Sequence, residues 1–109
     1  MTIAEICSRA RETAIAHGFR DEPRDFAVEI ALMHSELSEA LEEYRDGHAP
    51  ELLYHAVDGK PEGIPAEFAD VVIRICEACA HYGIDLDAAL ESKMTFNATR
   101  AFKHGGKRI

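Results

Sequence analysis

Glu36-Leu-Ser-Glu39 and Glu67-Phe-Ala-Asp70 are two short stretches of the same form, and they decide the fold of this chain. In each stretch two carboxylates stand three residues apart, a spacing that places both on one face of a helix, one turn apart. Apolar residues follow each pair at helical spacing, which favours a helix at both places. Two such helices packed side by side would bring four carboxylates together. A cluster of hard oxygen ligands is typical of a site for Mg²⁺, or Mn²⁺ in its place, rather than for zinc.

The composition is that of one globular domain, which we assign to residues 1–109. Hydrophobic residues make up 47% of the chain, and the formal net charge is −8. Such a charge predicts that the protein binds neither nucleic acid nor an acidic membrane surface. Bound divalent cations would reverse the local field, so a phosphate substrate remains compatible with this charge.

The N-terminus and the cysteines indicate a reduced, cytoplasmic protein. The first residues lack the basic and apolar regions of a signal peptide, and no apolar run approaches the roughly 18 residues of a membrane span. The three cysteines are an odd set, as expected where disulfides are rare. Cys76-x-x-Cys79 lies within an apolar helical pattern and has no second Cys/His pair, so we interpret these cysteines as core residues rather than zinc ligands.

Hydrophobic periodicity predicts an all-α fold with four main helices and no strands. A capping box at Thr2-Ile-Ala-Glu5 opens the first helix, which ends at Gly18. The other helices are predicted over residues 23–45, 65–82 and 86–102, with Pro23 in the first turn of the second helix. Residues 48–65 are punctuated by proline and glycine and predict a loop, in which Pro50 could open a short helix.

Each of the three later helices carries an apolar stripe that is expected to face the core. The stripe of the second helix is Phe26, Ile30, Met33, Leu37, Leu41 and Tyr44. The stripe of the third is Phe68, Val71, Val72, Ile75, Cys79 and Tyr82, and the fourth is expected to turn Leu86, Leu90, Met94 and Ala101 inward. Val28 and Leu32 fall outside the stripe of the second helix, near the acidic residues, and this predicts self-association.

A second cluster carries the donors that a phosphate chain requires. Lys93, Asn97 and Arg100 lie at positions i, i+4 and i+7, on one face of the fourth helix. A short basic tail containing Lys107 follows them. The four carboxylates can bind a cation, and the side chains of this second cluster can donate hydrogen bonds to phosphates. Together they predict a site for a metal–phosphate complex.

These motifs resemble those of the all-α nucleoside triphosphate pyrophosphohydrolases of the MazG type. The resemblance covers roughly residues 25–107 and includes Glu-x-x-Glu, a gap of residues 40–66, and Glu-x-x-Asp. It also includes the ordered set Lys93-x-x-x-Asn97-x-x-Arg100, followed by His-Gly-Gly-Lys.

The resemblance implies a fold, an activity and a set of roles. It implies MazG-like packing, with a homodimer often paired into a tetramer and the active site near the interface. Hydrolysis of the α–β bond of a (deoxy)nucleoside triphosphate would release the monophosphate and pyrophosphate, clearing unwanted nucleotides. The implied metal-binding and catalytic residues are Glu36, Glu39, Glu67 and Asp70. The implied phosphate-binding residues are Lys93, Asn97, Arg100 and Lys107.

One departure from the family pattern and two alternative functions remain. Some members carry an extra acid just before the first metal-binding glutamate, as a candidate base for the attacking water, where this chain has Ser35. Either the water ionises here without a base at this position, or Glu43 or another acid serves as the base. The chain could also be a related diphosphohydrolase, such as a phosphoribosyl-ATP pyrophosphatase. A non-catalytic helical module that binds a metal or nucleotide and regulates a partner is the alternative from a different class.

Overall fold

A computed structural model describes residues 1–100, and it confirms a mostly helical chain with four main helices. They are α1 (Ile3–Ala16), α2 (Phe26–Arg45), α3 (Ile64–Tyr82) and α4 (Leu86–Ala98). α4 ends at Ala98, before the predicted end at Phe102, because the chain turns at Thr99, whose backbone N–H bonds the carbonyl of Phe96 (3.0 Å). The predicted inward Ala101 and Lys107 lie outside the described residues. Within the described part of the chain, no helix has the length and apolarity needed to cross a membrane.

The helix ends follow the local signals in the sequence. The Thr2 side chain accepts a hydrogen bond from the backbone N–H of Glu5 (3.1 Å), as predicted for the start of α1. Gly18 has φ +77°, and the N–H of Phe19 bonds the carbonyl of Ala14 (2.9 Å), which closes α1 in a Schellman turn. At the start of α4, the Asp85 side chain accepts from the N–H of Ala88 (3.0 Å).

The start of α2 differs from the prediction. Pro23 does not lie in the first turn, because the helix begins only at Phe26. The Asp25 carboxylate accepts from the backbone N–H of Ala27 (2.8 Å) and therefore serves as the N-cap. A short acceptor side chain at the N-cap satisfies an unpaired helix donor, which Pro23 cannot do.

The predicted loop contains a small hairpin, so the expectation of no strands was wrong. Strands β1 (Tyr54–His55) and β2 (Pro61–Glu62) pair antiparallel, with Tyr54 opposite Glu62. Gly63 ends the hairpin and precedes α3 with φ +106°, and a Cβ added there would lie 2.2 Å from the Leu52 carbonyl oxygen. Only glycine fits this junction without displacing backbone.

Helix α3 is the centre of the fold, because both α1 and α2 pack along it. Phe26 at the start of α2 makes an edge-to-face contact with Tyr82 at the end of α3 (4.9 Å between centroids), so these two helices run antiparallel. The buried apolar side chains are small, and Cys76 and Cys79 are among them, as predicted; burial raises the pKa of Cys76 to about 11. The buried hydrophobic residues are Ala10, Ala14, Ala40, Ile64, Cys76, Ala78 and Cys79.

The predicted apolar stripes of α2 and α4 are largely uncovered in the single chain, so the expectation that they face its core was wrong, whereas the stripe of α3 is covered in part, with Cys79 buried. Leu41 of α2 is 57% exposed and Phe68 of α3 is 54% exposed. The reason is that α2 and α3 meet through charged side chains: Glu29, Glu36 and Glu77 are buried.

Candidate metal centre

The antiparallel packing of α2 and α3 brings three of the four predicted acids into one cluster. Glu36 of α2 and Glu67 and Asp70 of α3 each present a ligand atom within 4.8 Å of the others. Glu39, one turn along α2, lies outside this tight group, but it is close enough to affect the pKa of both Glu36 and Glu67. The i, i+3 spacing seen in the sequence therefore produces a shared acidic site between two helices.

The Glu67 carboxylate is distinguished by one of its oxygens, Oε2. Its Oε2 is buried and has no hydrogen-bond partner among the described residues. Burial, together with the neighbouring Glu39 and Glu36, raises the pKa of Glu67 to about 7. A buried carboxylate oxygen without a donor carries a large desolvation cost, which either a proton or a cation would relieve.

Glu36 is held ionised by a cation of its own chain. Arg74 Nε donates to Glu36 Oε1 (2.8 Å) across the α2–α3 contact. Burial alone would raise the pKa of Glu36, but the hydrogen bond and charge of Arg74 bring it below its ordinary value. The pKa of Asp70 is raised by burial and by the charge of Glu36. The cluster thus combines one carboxylate whose pKa is lowered, Glu36, with two whose pKa values are raised, Glu67 and Asp70.

Glu43, an alternative base left open by the sequence, is engaged elsewhere. Both of its oxygens accept from the Tyr54 hydroxyl (3.0 Å each), and His48 Nδ1 bonds Oε2. The His48 hydrogen bond lowers the pKa of Glu43. These contacts favour a role in anchoring the β1–β2 hairpin on α2 over a role as a proton acceptor. Ser35 donates to the carbonyl of Leu32 (2.7 Å), a bond within the helix.

An open groove of about 670 Å³ adjoins the acidic cluster. It lies between α1 and α2, and its floor is formed by α3. Glu36 and Asp70 line it beside apolar side chains, among them Ile6, Leu32 and Ile73. A volume of several hundred cubic ångströms with convergent charged groups is characteristic of small-molecule sites.

The phosphate-binding residues predicted on α4 are not brought to this cluster within one chain. α4 packs only sparsely on α1 and makes no comparable contact with α2 or α3. Lys93 and Arg100 instead lie over the ring of Phe96, at 5.9 and 5.8 Å from its centroid. Asn97 is exposed, and Lys107 lies outside the described residues.

A second charged cluster lies next to the groove and was not predicted from the sequence. Arg20, from the connection between α1 and α2, donates through Nε to Glu77 (2.7 Å) and through Nη1 to Glu29 (2.7 Å). Arg24 Nε also donates to Glu29 (2.6 Å). Burial would raise the pKa of Glu29, yet the bonds from Arg24 and Arg20 lower it. All four groups are thereby paired, so this cluster is a structural contact rather than a ligand site.

Comparison with known proteins adds no relative: no protein-family model matches the chain, and no curated protein or solved structure is significantly similar to it.

Mg²⁺ is expected to raise the melting temperature, with a larger effect at about pH 8 than at about pH 5. The folded-state pKa of Glu67, about 7, lies above its ordinary 4.5. The neutral Glu67 carboxyl therefore stabilises the fold fully below pH 4.5. This stabilisation is lost as the pH rises through about 7, where the buried carboxyl must ionise. A cation that binds the ionised form offsets this loss. At a hundred times its dissociation constant, it stabilises the fold by about 2.7 kcal/mol, on the order of 10 °C for a chain of this size.

Variants separate this effect from general salt binding. Asp70→Asn should abolish the Mg²⁺ response, whereas Glu51→Gln, at an exposed turn outside the cluster, should retain it. Glu67→Gln should abolish the response and also raise the melting temperature of the metal-free protein at alkaline pH, because the amide has no charge to bury. Melting curves that do not change across millimolar Mg²⁺ would contradict the assignment.

Proposed function

We propose that this protein is a Mg²⁺-dependent nucleotide pyrophosphohydrolase of the MazG type. It hydrolyses the α–β phosphate bond of a (deoxy)nucleoside triphosphate to the monophosphate and pyrophosphate. We propose that it acts in the cytoplasm, removing non-canonical or surplus nucleotides. The observation that carries the proposal is the three-carboxylate cluster at the edge of an open groove, with a Glu67 oxygen that has no partner among residues 1–100.

The acidic residues are assigned to the metal. Glu36, Glu67 and Asp70, with Glu39 beside them, hold Mg²⁺, and Mn²⁺ can replace it because it has the same preference for oxygen ligands. When bound, the ion supplies Lewis-acid stabilisation of the phosphate oxygens and of the leaving pyrophosphate. Arg74 keeps Glu36 ionised and fixes its orientation across the helix pair.

The remaining residues are assigned to the substrate. Lys93, Asn97 and Arg100 donate to phosphate oxygens, which a protein with a net charge of −8 would otherwise repel. The groove beside Glu36 and Asp70 has room for the nucleoside half, and its apolar walls exclude water from one face of a base. A nucleophilic serine or cysteine is not required, because water is the attacking group.

A panel of nucleoside triphosphates with Mg²⁺, scored separately for pyrophosphate and orthophosphate, tests the activity. Pyrophosphate and monophosphate in equal amounts are expected from at least one nucleotide, and Asp70→Asn should release neither. Release of orthophosphate alone would place cleavage at the outer phosphate and contradict the proposed reaction. Nucleotide binding without turnover would favour the regulatory-module alternative. Including phosphoribosyl-ATP in the panel tests the related diphosphohydrolase.

The protein is further proposed to form a homodimer or a dimer of dimers. The exposed stripes of α2 and α3 form the surface that a second copy would cover, since monomeric proteins rarely expose large contiguous apolar patches. Light scattering at micromolar concentration should give a mass of two or four chains. Leu37→Glu, in the middle of the α2 stripe, should shift the mass toward one chain. Val57→Glu, at a more exposed apolar position in the turn of the hairpin, should not. A monomeric wild-type protein would contradict the proposal.

A further inference from the structure

Two of the charged side chains that line the groove, Arg9 and Asp70, have no ion-pair partner among residues 1–100. The other charged side chains of its lining are paired: Glu36 with Arg74, Glu29 with Arg24, and Glu77 with Arg20. Asp70 belongs to the acidic cluster, which is assigned to the metal. Arg9, on the α1 wall, is therefore a cation of the groove that has no assigned role.

The contact that Arg9 makes leaves its guanidinium available to a ligand. Arg9 Nη1 donates to Met1 Sδ (2.7 Å), and both residues are exposed. A thioether is a weak acceptor, and a guanidinium has five N–H donors, so this contact satisfies little of what Arg9 can donate. Because Met1 precedes α1, the contact also shows that the side chain points toward the start of the helix, as helical side chains commonly do.

The start of α1 lies at the acidic end of the groove. Burial and the nearby thiol of Cys7 together raise the pKa of Cys76, which makes these two residues neighbours across the contact between α1 and α3. One turn further along α1, Arg11 Nη1 lies 2.7 Å from His81 Nδ1. Residue numbers thus increase in the same direction on both helices, so the two run parallel. The Arg9 guanidinium is accordingly directed toward the end of α3 that carries Asp70.

We propose that Arg9 binds the α-phosphate of the nucleotide, which is the phosphate attached to the nucleoside. This inference rests on the proposed function, in which the groove holds the nucleoside and the acidic cluster holds the metal at the α–β bond. The α-phosphate joins these two parts of the ligand, and Arg9 lines the groove on the side directed toward the acids. A guanidinium can donate two parallel hydrogen bonds to one phosphate, which fixes its orientation as well as its position.

Ligand-detected NMR titrations test this contact without turnover. The probes are the monophosphates of the four common deoxynucleosides and the nucleosides themselves, with Mg²⁺ present. The wild-type protein should bind at least one monophosphate more tightly than the matching nucleoside. Arg9→Ala should weaken binding of that monophosphate by about 10- to 100-fold, the loss typical of a hydrogen bond to a charged group, and leave nucleoside binding unchanged. Arg9→Lys keeps the charge without the paired donors and should lose less.

Arg11→Ala is the matched control, because Arg11 lies on the same helix but contacts His81 and is not part of the groove lining. It should retain the wild-type affinity for the monophosphate. Equal weakening of nucleoside and monophosphate in Arg9→Ala would assign Arg9 to the base or to the groove wall and overturn the proposal. An unchanged monophosphate affinity would overturn it as well, as would a wild-type protein that binds none of the four monophosphates.

Steady-state hydrolysis of triphosphates separates this inference from the proposed function. In an active enzyme, Arg9→Ala should lower kcat/KM by about the same 10- to 100-fold, since the contact is present in the bound substrate. If Arg9→Ala hydrolyses triphosphates with wild-type constants, the proposed function stands and the assignment of Arg9 fails. If the wild type releases no pyrophosphate but binds a monophosphate through Arg9, the proposed function fails and the phosphate contact stands.

Discussion

Glu39→Gln is expected to lower kcat by about 10²–10³ at saturating nucleotide, the loss typical of one preorganised electrostatic contact. Glu39 adjoins Glu36 and Glu67 and is assigned to the metal, where charge develops during bond cleavage. An interaction that strengthens in the transition state governs kcat, whereas one made equally in the ground state governs KM. Glutamine keeps the size of the side chain and removes its charge, so the fold is expected to persist.

Arg100→Ala is the contrasting variant, and it should mainly raise KM. Its guanidinium is assigned to phosphates that are already charged in the ground state. Lys93→Ala is expected to affect both constants if Lys93 contacts the leaving pyrophosphate. Steady-state kinetics on the three variants, with Glu51→Gln as a charge-matched control, checks the division of roles. A wild-type kcat for Glu39→Gln would mean that the acid pairs are a solvated surface, and the proposed activity would fail with them.

Local patterns were sufficient to predict the helices and the main acids. Glu36 and Glu39 are three residues apart, as are Glu67 and Asp70, so helix geometry alone places each pair on one face. This placement does not depend on what packs around the helix. Caps such as Thr2 likewise act within one turn of chain. Three of the four acids come together because the helices that carry them run antiparallel and meet at these positions.

The orientation of the helices was not predictable in the same way. A single-chain argument turns the apolar stripe of α2 inward, yet the buried residues of α2 are Glu29, Glu36 and Ala40, none of which belongs to that stripe. Their burial depends on Arg20 and Arg74, and Arg20 comes from an irregular connection that has no periodicity to read. A row of acids beside an apolar stripe, with arginines in the preceding loop, is the pattern that would have indicated a charged helix contact.

Arg20→Ala is expected to destabilise the protein by about 3–5 kcal/mol, the cost typical of removing one partner from a buried ion pair. Arg20 is the shared donor between α2 and α3, and its side chain is 8% exposed against 4% for Glu29. Its loss leaves Glu77, buried at 7% exposure, without its hydrogen-bond donor. Since domains are stable by about 5–15 kcal/mol in total, the variant should be close to unfolding.

Urea denaturation at fixed chain concentration measures the effect, because association with a second copy would add to the apparent stability. Arg45→Ala is the control: Arg45 pairs with Glu42 on the surface, where both side chains are more than 60% exposed. That substitution should cost less than about 1 kcal/mol. Equal losses for the two variants would mean that the Arg20 cluster contributes no more than a surface ion pair.

The pH dependence separates lost charge pairing from lost packing. The arginines hold the pKa of Glu29 below its ordinary 4.5, so the stability they provide is present above that value and is lost as the pH falls through the folded-state pKa. In Arg20→Ala, Glu77 loses its donor and Glu29 keeps only Arg24. The pKa of Glu29 therefore rises, and its protonation relieves the burial cost at mildly acidic pH. The stability difference between wild type and variant should therefore narrow on acidification. A difference that stays constant from neutral to acidic pH would assign the loss to the aliphatic part of the Arg20 side chain instead of its charge.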